Sequence, residues 1–148
     1  EAMLRLRIPM GFRLRGTLAY TWGESPRVGS LGYGTSGVIL GERVPLSRVP
    51  PLHGTAEVVW QRASFELSAG LRWATMQDRL AISDYADARI PKYGTPGFAV
   101  VDLRSSFRIH DRVQLGGVLE NIGNVAYRYH GSSVDGPGRG FMLSMKVD

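Results

Sequence analysis

The chain contains no cysteine. That single absence removes disulfide frameworks, thiolate zinc sites and cysteine nucleophiles. It also contains no apolar run approaching eighteen residues, so no segment has the form of a transmembrane helix. A membrane protein built from strands is not excluded, because such strands alternate lipid-facing and lumen-facing residues and their average hydropathy looks soluble. The opening Glu1-Ala2-Met3 lacks the basic end, apolar core and small-residue cleavage site of a signal peptide. An exported protein would therefore be represented here by its mature form or by an internal piece. Histidine is scarce: His53, His110 and His130 are far apart in sequence, and no pair has metal-ligand spacing on one face. Asp78, Asp84 and Asp87, with Tyr85 and Arg89, form a polar stretch that does not match a calcium loop. No Gly-x-Ser-x-Gly elbow occurs among the serines. No catalytic residue, cofactor site or metal site is expected, and the chain does not read as an enzyme.

What is present is a period of two. Phe12, Leu14, Gly16, Leu18, Tyr20 and Trp22 alternate with Arg13, Arg15, Thr17, Ala19 and Thr21. Gly54, Ala56, Val58 and Trp60 oppose Thr55, Glu57 and Val59; Phe65, Leu67, Ala69, Leu71 and Trp73 oppose Ser64, Glu66, Ser68 and Arg72. Ala99, Val101, Leu103, Phe107 and Ile109 oppose Asp102, Arg104, Ser106 and Arg108, and Val113, Leu115, Gly117 and Leu119 oppose Arg112, Gln114 and Glu120. Phe141, Leu143, Met145 and Val147 oppose Ser144 and Lys146, and a short opening piece sets Leu4, Leu6 and Ile8 against Arg5 and Arg7. Seven strands of this kind predict an all-β, antiparallel sheet.

The connections alternate too. Pro9-Met10-Gly11, Gln61-Arg62-Ala63 and His110-Asp111 are short enough for tight reversals. The other connections, roughly 23–51, 76–96 and 121–138, are long and rich in Gly, Pro, Ser, Asp and Tyr. Short turns on one side and long loops on the other is the organisation of transmembrane barrels, with turns in the periplasm and loops outside. Tyr20, Trp22 and Trp73 at loop-side ends, and Trp60, Phe65 and Phe107 at turn-side ends, would supply two interfacial girdles. The core aromatics of a soluble β-sandwich are the alternative. The net charge of +5 invites a nucleic-acid reading. The arginines, however, share the polar face, opposite most of the aromatics, whereas nucleic-acid binding wants the two interleaved. The polar face instead reads as a lumen in which Glu57, Glu66, Asp102 and Glu120 pair with some of the arginines.

The last third carries ordered motifs. Gly94-Thr95-Pro96-Gly97-Phe98-Ala99-Val100-Val101-Asp102-Leu103 leads into a strand. After the next strand comes Glu120-Asn121-Ile122-Gly123-Asn124-Val125-Ala126-Tyr127-Arg128, and Gly136-Pro137-Gly138-Arg139-Gly140-Phe141 opens the final one. Asn121 and Asn124 are residues that cap their own backbone and tolerate left-handed conformations, as a strand leaving a membrane requires. Gly136-Pro137-Gly138-Arg139-Gly140 lacks the Gly-Lys-Ser/Thr ending of a phosphate loop, and no helix follows it. The order and spacing resemble the C-terminal end of TonB-dependent outer-membrane receptors, with an Asn-rich turn, a following Tyr and a Pro-Gly-Arg segment before the last strand. Pro45-Leu46-Ser47-Arg48-Val49-Pro50-Pro51-Leu52, ahead of another strand, resembles that family as well. One feature departs from it: the last strand ends Lys146-Val147-Asp148, where the family places an aromatic residue.

The resemblance implies that residues 1–148 are the C-terminal part of a large barrel of about twenty-two strands, in the bacterial cell outer membrane. The N-terminal plug domain and TonB-box segment would lie outside this stretch. The complete protein would meet outer-membrane lipid, its own plug, the TonB complex through that plug, and a small metal chelate: siderophore–iron, haem or cobalamin. Tyr33, Tyr85, Arg89, Tyr129 and His130 are the loop residues expected to contact ligand. Asn121, Asn124, Tyr127, Gly136, Pro137, Gly138 and Arg139 are expected to build a structural turn. A passive porin-like barrel is the runner-up, and a soluble β-sandwich binding module the third reading.

Overall fold

The structure, a computed structural model, describes residues 1–29 and 38–148. Seven strands form one antiparallel sheet: β1 (Ala2–Ile8), β2 (Phe12–Ala19), β5 (His53–Arg62), β6 (Phe65–Ala74), β7 (Phe98–His110), β8 (Val113–Glu120) and β9 (Gly140–Val147), in the order β1-β2-β5-β6-β7-β8-β9. Each predicted apolar series falls on one face. Leu6 faces Leu14, Leu14 faces Val58, Val58 faces Ala69, Ala69 faces Leu103, and Leu103 faces Leu119. Because side chains alternate with a period of two, this register puts the arginines of the seven strands on the opposite face, except Arg62 at the turn end of β5, which pairs with Phe65.

Three short reversals join the strands at one end. Pro9–Gly11 makes a 3₁₀ turn in which Met10 and Gly11 take φ of +64° and +85°. A Cβ on Gly11 would sit 2.1 Å from the Gln61 carbonyl oxygen, so only glycine fits beneath the neighbouring hairpin. Ala63 turns the β5–β6 hairpin with φ of +49°. Ile109 lies in a bulge, where the β7–β8 register shifts between Arg108 and His110. Arg112, expected on a strand, sits in the turn that follows.

The long connections carry more structure than their composition predicts. Within 23–51 a separate two-stranded ribbon pairs β3 (Glu24–Gly29) with β4 (Val38–Pro45). Within 76–96 a 3₁₀ turn spans Ile82–Ala86, and a two-residue bridge joins Gln77 to Thr95. Strand β2 ends at Ala19, so Tyr20 and Trp22 lie beyond it. Trp22 there lies 3.4 Å beneath the Arg79 guanidinium. At the turn end, Phe12, Trp60 and Phe65 do form an aromatic band, with ring centroids 6.4 and 5.9 Å apart.

The apolar face is bare. Leu18, Val58, Leu67, Val101, Phe107, Leu115 and Leu143 are all exposed, and among the described residues no second sheet covers them. A soluble sandwich buries that face against a partner sheet, so the sandwich reading fails. The small core lies instead on the polar face at the loop end, where Phe98, Val100 and Tyr127 pack together with Ala74 and Val125. The same face carries the expected ion pairs: Arg13–Glu66 at 2.7 Å, Arg15–Glu57 at 3.5 Å and Arg72–Asp102 at 3.2 Å.

Facing is testable by charge insertion. Leu67→Arg or Leu115→Arg should cost roughly 2–4 kcal/mol of assembly in a bilayer, whereas Gln114→Arg, on the polar face, should be near neutral. The measurement is the fraction of heat-modifiable, folded protein in membranes; equal yields for all three variants would contradict the assigned faces.

Candidate ligand-binding mouth

Where the strands leave the sheet at the loop end, the connection 121–139 folds back over the polar face. Asn121 organises it. Its φ is +47°, its side chain is 1% exposed, and its backbone N–H donates to Asp102 Oδ1 at 2.9 Å. Its amide makes three further bonds: Oδ1 accepts from the Val125 N–H at 2.8 Å, and Nδ2 donates to the carbonyls of Val125 and Pro137 at 2.9 and 3.0 Å. An amide supplies two donors and two acceptor lone pairs on one short stem, and asparagine tolerates positive φ; few other residues meet both demands. Asn124, with φ of +49°, accepts the Arg139 N–H at 3.0 Å.

The knot seats an aromatic cluster. Tyr127 stands 4.8 Å from Phe98 between ring centroids, and Tyr129 meets Phe98 edge-on at 5.3 Å. The Gly136 N–H donates to the Tyr127 carbonyl at 2.7 Å, and a Cβ on Gly136 would lie 2.1 Å from the phenol ring. Glycine is therefore demanded by the ring it covers. The Arg72 guanidinium reaches the Tyr127 hydroxyl at 3.5 Å while paired to Asp102, a carboxylate only 2% exposed. Asn121, Asn124, Tyr127, Gly136, Pro137, Gly138 and Arg139, expected to build a structural turn, lie along this folded-back connection, where a Cβ on Gly138 would lie 3.1 Å from Asn124 Oδ1.

Beside this cluster lies a cavity of about 400 Å³. His53 and Thr55 from β5, Arg72 and Ala74 from β6, Phe98 from β7, and Arg128, Tyr129 and His130 from the last connection line it. Its wall is mainly aromatic and aliphatic, with a few convergent polar groups, the general make-up of small-molecule sites. His53 Nδ1 lies 2.8 Å from the Pro51 carbonyl oxygen, and His130 Nδ1 lies 2.9 Å from Thr95 Oγ1. Burial pushes the His130 imidazole below its ordinary value, against the opposing pull of Asp84 and Asp87. Arg128 is bridged to Asp135 at 2.6 Å.

Of the loop residues expected to meet ligand, Tyr129 and His130 line this cavity. Tyr85 and Arg89 do not. Tyr85 projects, 63% exposed, from the Ile82–Ala86 turn. Arg89 is occupied by Asp87, whose carboxyl it holds well below the usual range through a 2.6 Å ion pair. Tyr33 lies outside the described residues. Sequence reasoning missed His53, Arg72 and Phe98. The signal was available in the period-two parity, which puts all three on the polar face near loop-side strand ends. His53 and His130, distant in sequence and without metal-ligand spacing there, both line this cavity.

The connections 23–51 and 76–96 are braced against each other at the same end. Arg79 donates to the Gly23 carbonyl at 3.3 Å and pairs with Glu24 at 2.6 Å; Gln77 Nε2 donates to the Val49 carbonyl at 2.6 Å. Arg48 meets Asp87 at 3.1 Å, and the Ser47 hydroxyl donates to the buried Asp84, which also accepts the Ala81 N–H at 2.9 Å.

No family model matches this sequence, and no curated protein does. Solved structures do match its fold. The copper transporter OprC superposes with a TM-score of 0.70 at 18% identity over 97% of this chain and 21% of its own. The siderophore receptor PiuA from Acinetobacter baumannii gives a TM-score of 0.66 at 13% identity over 98% and 20%. A G324V mutant of the ferric enterobactin receptor PfeA from Pseudomonas aeruginosa gives 0.61 at 13% identity over 98% and 21%. The chain spans about a fifth of the length of these proteins. Its fold is that of a stretch of the β-barrel in TonB-dependent receptors.

Two outcomes follow from this geometry. Asn121→Ala should loosen connection 121–139 by about 2 kcal/mol or more, because buried partners lose their bonds and alanine resists the left-handed conformation. Asn121→Gly removes only the second penalty and should remain clearly less protected than wild type; hydrogen exchange of Val125 to Tyr127 reads both. Because the His130 pKa is depressed, an undocked connection takes up a proton before the docked one does. Docking should be intact above the ordinary histidine value of 6.5 and weaken as pH falls toward the lower docked value. An NMR titration of His130 at or above 6.5 would contradict this.

Proposed function

We propose that this chain forms the C-terminal part of the barrel of a TonB-dependent outer-membrane receptor, a transporter of a metal chelate rather than an enzyme. One observation carries the reading. A seven-stranded sheet with a bare apolar face and a charged inner face superposes over nearly its whole length on three metal or siderophore transporters and receptors. Their cargoes, by name copper, ferric enterobactin and a siderophore, support a metal or metal-chelate cargo here. Siderophore–iron, haem and cobalamin are the chelate classes in view.

Barrel physics supports the same reading. In hydrocarbon every backbone N–H and C=O must find a partner within the protein, and among sheets only closed ones satisfy that. Among the described residues, strands β1 and β9 are each paired on one side only, and a membrane-spanning sheet would need both edges paired further. A barrel of about twenty-two strands, enclosing the protein's own N-terminal plug and energised through it by the TonB complex, meets that requirement. The exposed leucines and valines then meet outer-membrane lipid, and the arginine face lines the lumen. The cavity at the loop end, with Tyr129 and His130 in its wall, receives the ligand from outside. In this reading Tyr85 and Arg89 belong to the outer vestibule rather than to the cavity itself.

The test is growth. A deletion strain, offered single sources of siderophore–iron, haem, copper or cobalamin, should lose the use of one of them, and a TonB-deficient strain should lose the same one. Unchanged use of all four, together with steady ion conductance by the purified protein in planar bilayers, would replace the receptor with a passive porin.

A further inference from the structure

We propose that the open edge of β1 is built to accept one kind of partner: an antiparallel strand that sets two carboxylates, two residues apart, opposite Arg5 and Arg7. This rests on the receptor reading above, in which that strand is the neighbour of β1 in the barrel. It goes further, because it names the charge and the register of the seam.

Arg5 and Arg7 lie on the polar face of β1. The register sets each directly opposite another arginine, Arg5 against Arg15 and Arg7 against Arg13. Like charges directly opposite one another destabilise a ladder. Four guanidiniums therefore form one block at the border of the sheet. Two are relieved from the inner side, Arg15 by Glu57 at 3.5 Å and Arg13 by Glu66 at 2.7 Å. Among the described residues no carboxylate pairs with Arg5 or Arg7. Strand β1 has β2 on one side and no described strand on the other, and it is exposed along its whole length.

The rest of the face shows where the balancing charge belongs. Arg13, Arg15, Arg72 and Arg104 are each met by a carboxylate from a strand of the same sheet. Glu57 sits directly opposite Arg15, and Asp102 lies diagonal to Arg72, two residues beyond Val100. Arg108, near the turn, has no such partner among the described residues. Arginines away from the turn are thus balanced within the ladder, by opposite or near-diagonal neighbours. For Arg5 and Arg7 the neighbours on this face within β1 and β2 are Met3, Arg13, Arg15 and Thr17, none of them acidic. The positions that remain are on the strand across the open edge. The same charges turn away copies of this chain. A second β1 would bring arginine against arginine, and β9, the other open edge, carries Met142, Ser144 and Lys146 on its polar face. Like charge across a seam keeps wrong edges apart, and opposite charge admits the right one.

Carbodiimide coupling reads the seam directly. The full-length receptor, in outer membranes, carries Arg5→Lys or Arg7→Lys, which keeps the charge and places an amine at the edge. The reagent joins an amine to a touching carboxylate as an amide, with loss of water. Each variant should couple to an aspartate or glutamate of the same molecule, in a strand outside residues 1–148. The residue reached from position 7 should come two residues before the one reached from position 5, as an antiparallel neighbour demands. Arg13→Lys is the control and should couple to Glu66, and heat-modifiable mobility confirms that each variant is folded. Reversing the two mapped carboxylates to lysine should then lower the folded yield roughly threefold or more, and adding Arg5→Glu with Arg7→Glu should restore it. Coupling to the plug, coupling between two molecules, no coupling while the control couples, or failure of the rescue would each overturn the proposal. That failure is separable from failure of the receptor reading. A receptor whose chelate-dependent growth persists while no carboxylate faces Arg5 or Arg7 remains a receptor and loses only this seam.

Discussion

The structure depends on one constraint: an antiparallel ladder must satisfy every backbone polar group while each strand shows hydrocarbon on one side and charge on the other. Strands repeat side chains every second residue, so a slip of one position would carry a strand's polar-face arginines onto the apolar face. That penalty, repeated along seven strands, pins the register more firmly than any single contact. The short reversals follow from it. Met10, Gly11 and Ala63 take positive φ because the next strand must begin at once and in phase.

The polar face manages a second problem. Eight arginines were expected there, too many to sit unpaired beside one another. Arg13 and Arg15 lie directly opposite Arg7 and Arg5, and are relieved by Glu66 and Glu57 from the other side. Arg72 and Arg104 share Asp102, at 3.2 and 3.7 Å. Asp102 in turn accepts the Asn121 N–H. One buried carboxylate therefore links the lumen charge to the turn that caps the last connection, and the aromatic wall of the cavity stands on that link. The two other long connections are tied by separate pairs, Arg79–Glu24 and Arg48–Asp87, so the loop end is braced.

Much of this was legible in the linear order of residues. The strands, their faces, the three tight reversals and the glutamate partners of the arginines all follow from periodicity. Periodicity is a local property, and strand geometry turns it directly into facing. The residues of the final turn were legible for a related reason: asparagine and glycine mark positive φ wherever they occur in a fixed local pattern. The ribbon β3–β4 was not legible, because its residues alternate poorly and lie in a glycine-rich stretch. Nor was the fate of Arg89, which the resemblance implied would contact ligand and which the fold pairs with Asp87.

By itself, then, the sequence determined the strands, the split between an apolar and a charged face, and the alternation of turns and loops, since each is written within a few consecutive residues. The tertiary structure decided which loop residues meet. His53 and His130 share a cavity only because β5 begins at the end of the sheet over which connection 121–139 folds back, held down by Asn121. Such proximity is set by long-range pairing and by one buried amide, and neither leaves a periodic mark on the chain.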